Sequence, residues 1–226
     1  MKFPLFLAMI GLASTAQAAV LSFTDSTTTI IPDGSSSGVV RGLVVSTGGQ
    51  SITGVEVDVG ISTTPGGASF LGDLYLYLSN GTESAILANR PGRSAGFPAG
   101  YADNQSMFVT FSSGAVSDFH NYRVSVTGSN AIPLGGTLTG TWQPDGRMVD
   151  PGTVLDTSPR TAGLDTYTGD AADGTWYLFA ADLSTGGTHQ ITSWTLRLDV
   201  VPEPSSATLL ASLVLVVAMR RSRTSR

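Results

Sequence analysis

The chain has 226 residues, with 27 glycines, 11 prolines and no cysteine, which excludes a disulfide framework and a thiolate zinc site. All 17 acidic residues lie between Asp25 and Glu203, against seven arginines and no lysine, so this body carries a net charge of −10. Such a surface repels nucleic-acid phosphates and anionic lipid, which require Lys/Arg patches, and leaves divalent cations and neutral sugars as tolerable partners.

Taken in chain order, the first element is a leader. Lys2 is followed by an apolar run from Phe3 to about Ala13 and then by Ala16-Gln17-Ala18. Charge, apolar run and a small-residue A-x-A site in that order predict a signal peptide over residues 1–18, removed by signal peptidase after Ala18. The next 182 residues, 19–200, suit one all-β domain and are long enough to bury a core without staples.

The body shows apolar/polar alternation, with no helical periodicity. In GVEVDVGI, Val55, Val57, Val59 and Ile61 share one face, and Glu56 and Asp58 the other. In DLYLYLSNGT, Leu74, Leu76 and Leu78 point inward, and Asn80-Gly81 is a hairpin signal. SMFVTF sets Met107, Val109 and Phe111 against Phe108 and Thr110; NYRVSV sets Tyr122, Val124 and Val126 against Arg123 and Ser125. TWYLFAAD and SWTLRLDV close the domain, with Trp176, Leu178, Trp194, Leu196, Leu198 and Val200 inward. About eight short strands punctuated by turn residues predict a β-sandwich, specifically a jelly roll. Residues 132–174, rich in Gly, Pro, Asp and Thr, are expected to be long loops over one end.

Two stretches, GVEVDVGISTTPGGASFLGDLYLYLSNGTESAIL and DGTWYLFAADLSTGGTHQITSWTLRL, together resemble the P domain that follows subtilisin-like catalytic domains in proprotein convertases and bacterial proteases. Gly72-Asp73-Leu74 with Gly81-Thr82, and Gly174, Trp176, Asp182, Trp194 and Leu196, carry the resemblance, which spans about residues 52–200. It implies a jelly roll without catalytic residues. The chain departs from the family pattern at TTPGGASF, at Ser112-Ser113 and at Gly186-Gly187, where the family carries a histidine, an acidic pair and a Gly-Asp. Asp73 and Asp182 stand at family aspartate positions, so a calcium ion held by them, with Asp170 and Asp173 as further ligands, is the one cofactor the resemblance suggests; calcium needs six to eight oxygens. Neither TGDAADG nor QPDGRMVDPG has EF-hand spacing.

Signals of catalysis are weak. The two histidines, His120 and His189, fall in loop-like polar stretches and read as surface residues, and G-x-S-x-G is absent. No catalytic residue is expected. Asp170, Asp173 and Asp182 are the carboxylates a glycoside hydrolase would draw on, and turn and cap aspartates are the plainer account of them. Tyr75, Tyr77 and Trp142 are the rings a carbohydrate-binding module would offer.

The tail begins at Val201-Pro202-Glu203-Pro204. A 13-residue apolar run, Ala207 to Met219, precedes Arg220, Arg221, Arg223 and Arg226. As a helix the run is about 20 Å long, short against a bilayer core of about 30 Å. The prolines impose an extended segment ahead of it, and the arginines favour a cytoplasmic end. The order Pro-Glu-Pro, short transmembrane helix, basic end is similar to the PEP-CTERM sorting signal of Gram-negative bacteria, over residues 201–226. That resemblance implies an exosortase-type membrane enzyme as partner, transient residence in the inner membrane, and delivery to the cell surface or extracellular space in association with exopolysaccharide or biofilm. The expectation is an exported, non-catalytic surface or matrix protein; the alternatives are a carbohydrate-binding module that binds extracellular polysaccharide, and an unrecognised hydrolase.

Overall fold

The computed structural model describes residues 17–64 and 68–202. Ala16 and the apolar leader lie outside the described residues, as do Glu203, Pro204, the predicted transmembrane helix and the four C-terminal arginines. Among the described residues ten strands form two sheets: β1 (Ala19–Asp25), β2 (Thr29–Ile31), β3 (Ser35–Val45), β4 (Gln50–Thr63), β5 (Leu74–Ser79), β6 (Ser84–Asn89), β7 (Met107–Ser112), β8 (Leu138–Trp142), β9 (Gly174–Asp182) and β10 (His189–Pro202). One sheet runs β1-β10-β4-β7-β8 with β2 also on β10; the other runs β3-β9-β5-β6. Pairing is antiparallel except for β7 with β8. Among the described residues, helix is confined to α1 (Tyr122–Thr127) and three short 3-10 turns.

The alternation translates directly into layers. Strand side chains point alternately to opposite faces, so the inward-facing apolar residues of β4, β5, β7, β9 and β10 meet between the sheets. Val57, Ile61, Leu74, Leu76, Leu78, Met107, Phe111, Trp176, Leu178, Trp194, Leu196, Leu198 and Val200 are buried there. The β5–β6 hairpin turns at Asn80-Gly81 as expected: the Asn80 side chain accepts hydrogen bonds from the amides of Thr82 and Glu83 at 3.0 and 2.8 Å.

Two expectations are corrected. NYRVSV is helical, not a strand, because a six-residue window cannot separate the two periods when stronger local signals act. The Asp118 side chain accepts from the amide of His120 and starts a 3-10 turn that runs into α1. Gly128, at φ 80°, ends the helix by donating to the Val124 carbonyl, a left-handed cap that favours glycine. Tyr122 and Arg123 are buried, while Val124 and Val126 face solvent.

Residues 132–174 are also more than loops. They contain β8, and Trp142 ends that strand buried. The remainder covers the open edge of β6: Asp145 and Gly146 donate to the Leu87 and Ile86 carbonyls, and Ile86 donates to Ala162. Tyr167 plugs the hairpin, its hydroxyl donating to the Leu78 carbonyl at 2.6 Å and accepting from the Ala85 amide at 3.0 Å. An uncovered edge strand invites pairing with another chain, and this segment removes that edge.

Candidate functional site

The four nominated aspartates fall into two pairs. Asp182 ends β9 beside Leu74 in the ladder, next to Asp73 at the end of the Leu71–Asp73 turn. Asp182 accepts from His189 Nδ1 at 2.7 Å and from the Ser184 amide at 3.4 Å. Asp73 accepts from Arg90 Nη2 at 3.3 Å, and Arg90 also donates to the carbonyls of Gly72 and Ala99. Burial pushes the Asp73 carboxyl above its ordinary pKa; Arg90 opposes this and the charge of Asp182 adds to it. These bonds hold Arg90 at φ 49°, the one positive φ outside glycine among the described residues.

Asp170 and Asp173 lie beyond the other end of β9, about 27 Å away along nine residues of strand. Asp173 accepts from the hydroxyl and amide of Thr47 and from the Gly49 amide. Those bonds, the Thr47 hydroxyl first, hold its pKa below the ordinary carboxylate value. Asp170 accepts from Asn80 Nδ2 at 3.3 Å. The pairs are too far apart to share an ion, and among the described residues no group of three or more His, Asp or Glu side chains could hold one. Asp73 and Asp182 face a guanidinium and an imidazole where a calcium site would supply further oxygens.

Both histidines are fully buried, not on the surface as their polar neighbours suggested. His189 opens β10 and faces Asp182; its Nε2 has no hydrogen-bond partner among the described residues. His120 lies between Asp145 Oδ2, 2.8 Å from Nδ1, and the Arg93 carbonyl, 2.9 Å from Nε2. A buried polar ring persists only where it is hydrogen-bonded, and the carboxylates supply that. Among the described residues no serine or threonine hydroxyl bonds either ring.

The nominated rings are engaged by their neighbours. Tyr77 stacks on Phe179, with centroids 4.7 Å apart and planes at 15°, and Tyr75 meets Phe179 edge-on at 6.2 Å. Trp142 donates from Nε1 to the Thr139 carbonyl and meets Phe119 edge-on. On the outer face of the other sheet Phe108 is half exposed, above a groove of about 290 Å³ that also touches Asp58, Gly60, Thr110, Ser193 and Arg197. A larger polar cleft of about 610 Å³ lies beside Arg160, Gln143 and Asp165. Arg160 is fixed there by bonds to Gln143 Oε1 and to the Asp145 and Pro144 carbonyls.

The first and last described strands reach the predicted processing points. Ala18 is exposed and β1 starts at Ala19. Val201 and Pro202 are the last pairs of β10, opposite Ser51 and Gln50.

The chain is an all-β sandwich of two sheets. No protein-family model matches it, and no curated protein sequence does. Among solved structures it is similar to a chain in the complex of the Aeromonas sobria serine protease with its chaperone, at 14% identity and a TM-score of 0.46, over 82% of this chain and 27% of that one. The chain thus spans about a quarter of the length of that relative.

Proposed function

We propose that this is an exported, non-catalytic protein of the cell surface or extracellular matrix: a P-domain-like jelly roll carried out by a signal peptide and sorted through a PEP-CTERM tail by an exosortase-type enzyme. The observation that supports this reading is the fit between fold and processing points. The first strand starts at Ala19, directly after the predicted cleavage at Ala18, and β10 runs into Val201–Pro204 as far as Pro202, the last described residue. The protein's histidines and most of its buried carboxylates are bound to one another or to arginine in structural pairs, which suits a scaffold. Association with exopolysaccharide belongs to the same reading.

Replacing Pro202, Glu203 and Pro204 together by alanine in the native host is expected to leave the body in the inner-membrane fraction, where the unaltered protein reaches the surface or medium. Equal distribution of the two proteins would count against sorting through this motif.

A further inference from the structure

The outer face of the sheet formed by β10, β4 and β7 is polar, with one exception near its centre. Glu56, Asp58, Thr110, Ser112, Thr195 and Arg197 point outward from these strands, and among them Phe108 stands half exposed. Among the described residues of β4, β7 and β10 no other large apolar side chain is exposed. No other ring touches Phe108 among the described residues, in contrast to Tyr75, Tyr77 and Phe179 on the opposite sheet.

The ring has a built surround. Phe108 pairs across the ladder with Gly60, and Gly60 with Ser193 on the far side. A Cβ at Gly60 would stand 2.6 Å from Thr192 Oγ1, 3.0 Å from Ser193 Oγ and 3.1 Å from Phe108 Cδ1, so the groove floor is bare backbone by necessity. Its rim is pre-set. Asp58 Oδ1 accepts from Thr110 Oγ1 at 2.6 Å and from Arg197 Nη2 at 2.8 Å, and Arg197 Nε donates to Glu56 at 3.1 Å. The Ser193 hydroxyl makes no hydrogen bond among the described residues. One ring with an open face, a planar carboxylate, a planar guanidinium and two hydroxyls thus surround a groove of about 290 Å³, near the lower end of ligand-site sizes of about 300–1,000 Å³.

We propose that this groove binds a neutral polysaccharide chain, with Phe108 as the stacking platform and Asp58, Arg197, Thr110 and Ser193 hydrogen-bonding its hydroxyls. A pyranose presents an apolar C–H face and an edge of hydroxyls that both donate and accept, which matches a ring flanked by carboxylate, guanidinium and hydroxyl. The open sheet face lets a longer chain pass on either side. Charge selects a neutral polymer: the body carries −10, and on this face Glu56, Asp58 and Asp199 outnumber Arg197. The same excess disfavours a second copy packing face to face. The proposal rests on the surface reading for its supply of ligand and on the groove alone for binding.

The test is affinity electrophoresis of the purified native-host protein through gels containing a soluble cellulose derivative, laminarin, mannan or galactan, with alginate as the polyanion. Retardation is expected in at least one neutral polymer and not in alginate. Phe108→Ala should weaken it about tenfold, the scale of a lost ring contact and its hydrogen-bonded surround. Phe108→Trp should restore it, Arg197→Lys should weaken it by losing the planar fork, and Tyr77→Ala should leave it unchanged. Absence of retardation in every neutral polymer, retardation by alginate alone, or equal retardation of wild type and a folded Phe108→Ala would overturn the proposal. Tail processing is read separately by mass, so either idea can fail alone.

Discussion

Asp103→Ala is expected to destabilise the protein by about 3–5 kcal/mol, the cost of removing one partner of a buried ion pair. Asp103 is 2% exposed, and its carboxylate accepts four hydrogen bonds from three residues. Its Oδ2 accepts from the Tyr122 hydroxyl and Arg123 Nε, both at 2.7 Å; its Oδ1 accepts from Arg123 Nη2 at 2.9 Å and the Leu134 amide at 2.8 Å. Burial works against the Arg123 charge, and the bonds and charge of Asp103 outweigh it and raise the guanidinium pKa. Burial likewise lifts Tyr122 well above the ordinary phenol value, and the Asp103 charge adds to that. Alanine would leave a buried cation over the Tyr101 ring, 4.5 Å from its centroid, with its carboxylate gone. Urea unfolding should show a lower midpoint at unchanged slope. A loss below about 1 kcal/mol would mean that water replaces the carboxylate at no great cost.

Asp145→Ala should cost a similar amount, about 3 kcal/mol, with a local signature. Asp145 is fully buried and accepts from His120 Nδ1 at 2.8 Å, the Asn89 amide at 3.1 Å and Arg147 Nη1 at 3.0 Å. Its own amide donates to Leu87 across the β6 edge. Losing the carboxylate leaves His120 with only the Arg93 carbonyl and Arg147 with Asp118 and the Asp156 carbonyl, and loosens the segment that covers the edge. Hydrogen exchange should speed at Asn89 and Ile86 ahead of the β4–β10 ladder, since local openings follow local stability. Uniform acceleration through both sheets would show instead that the hub holds the whole body and not the edge.

What could be read from the sequence follows from how far each signal reaches. Strands β4, β5, β7, β9 and β10 announce themselves because one face is buried and the other solvated, and alternation is a local property. Strand β3 does not, since Gly38, Val39, Val40 and Arg41-Gly42-Leu43 interrupt the period; Gly38 sits where the ladder to β9 shifts register. The helix α1 hides in six residues that satisfy either period. Burial of His120 and His189 is illegible locally, because their partners are 25 and 7 residues away and a polar neighbourhood in sequence says nothing of a carboxylate brought in by the fold. Asp73 and Asp182 do meet, but opposite Arg90 and His189, and Asp170 and Asp173 separate because a nine-residue strand stands between the pairs. The outward direction of Phe108 is plain from alternation; its groove is not, since Gly60, Ser193 and Arg197 join it only through the ladder.

Intact mass of the protein isolated from its native host tests the proposed sorting most directly. The account predicts a dominant species that starts at Ala19 and has lost the apolar run Ala207 to Met219 and the arginines beyond it, ending within or close to Val201–Pro204. A dominant species that still ends at Arg226 would contradict it and make the tail a plain anchor.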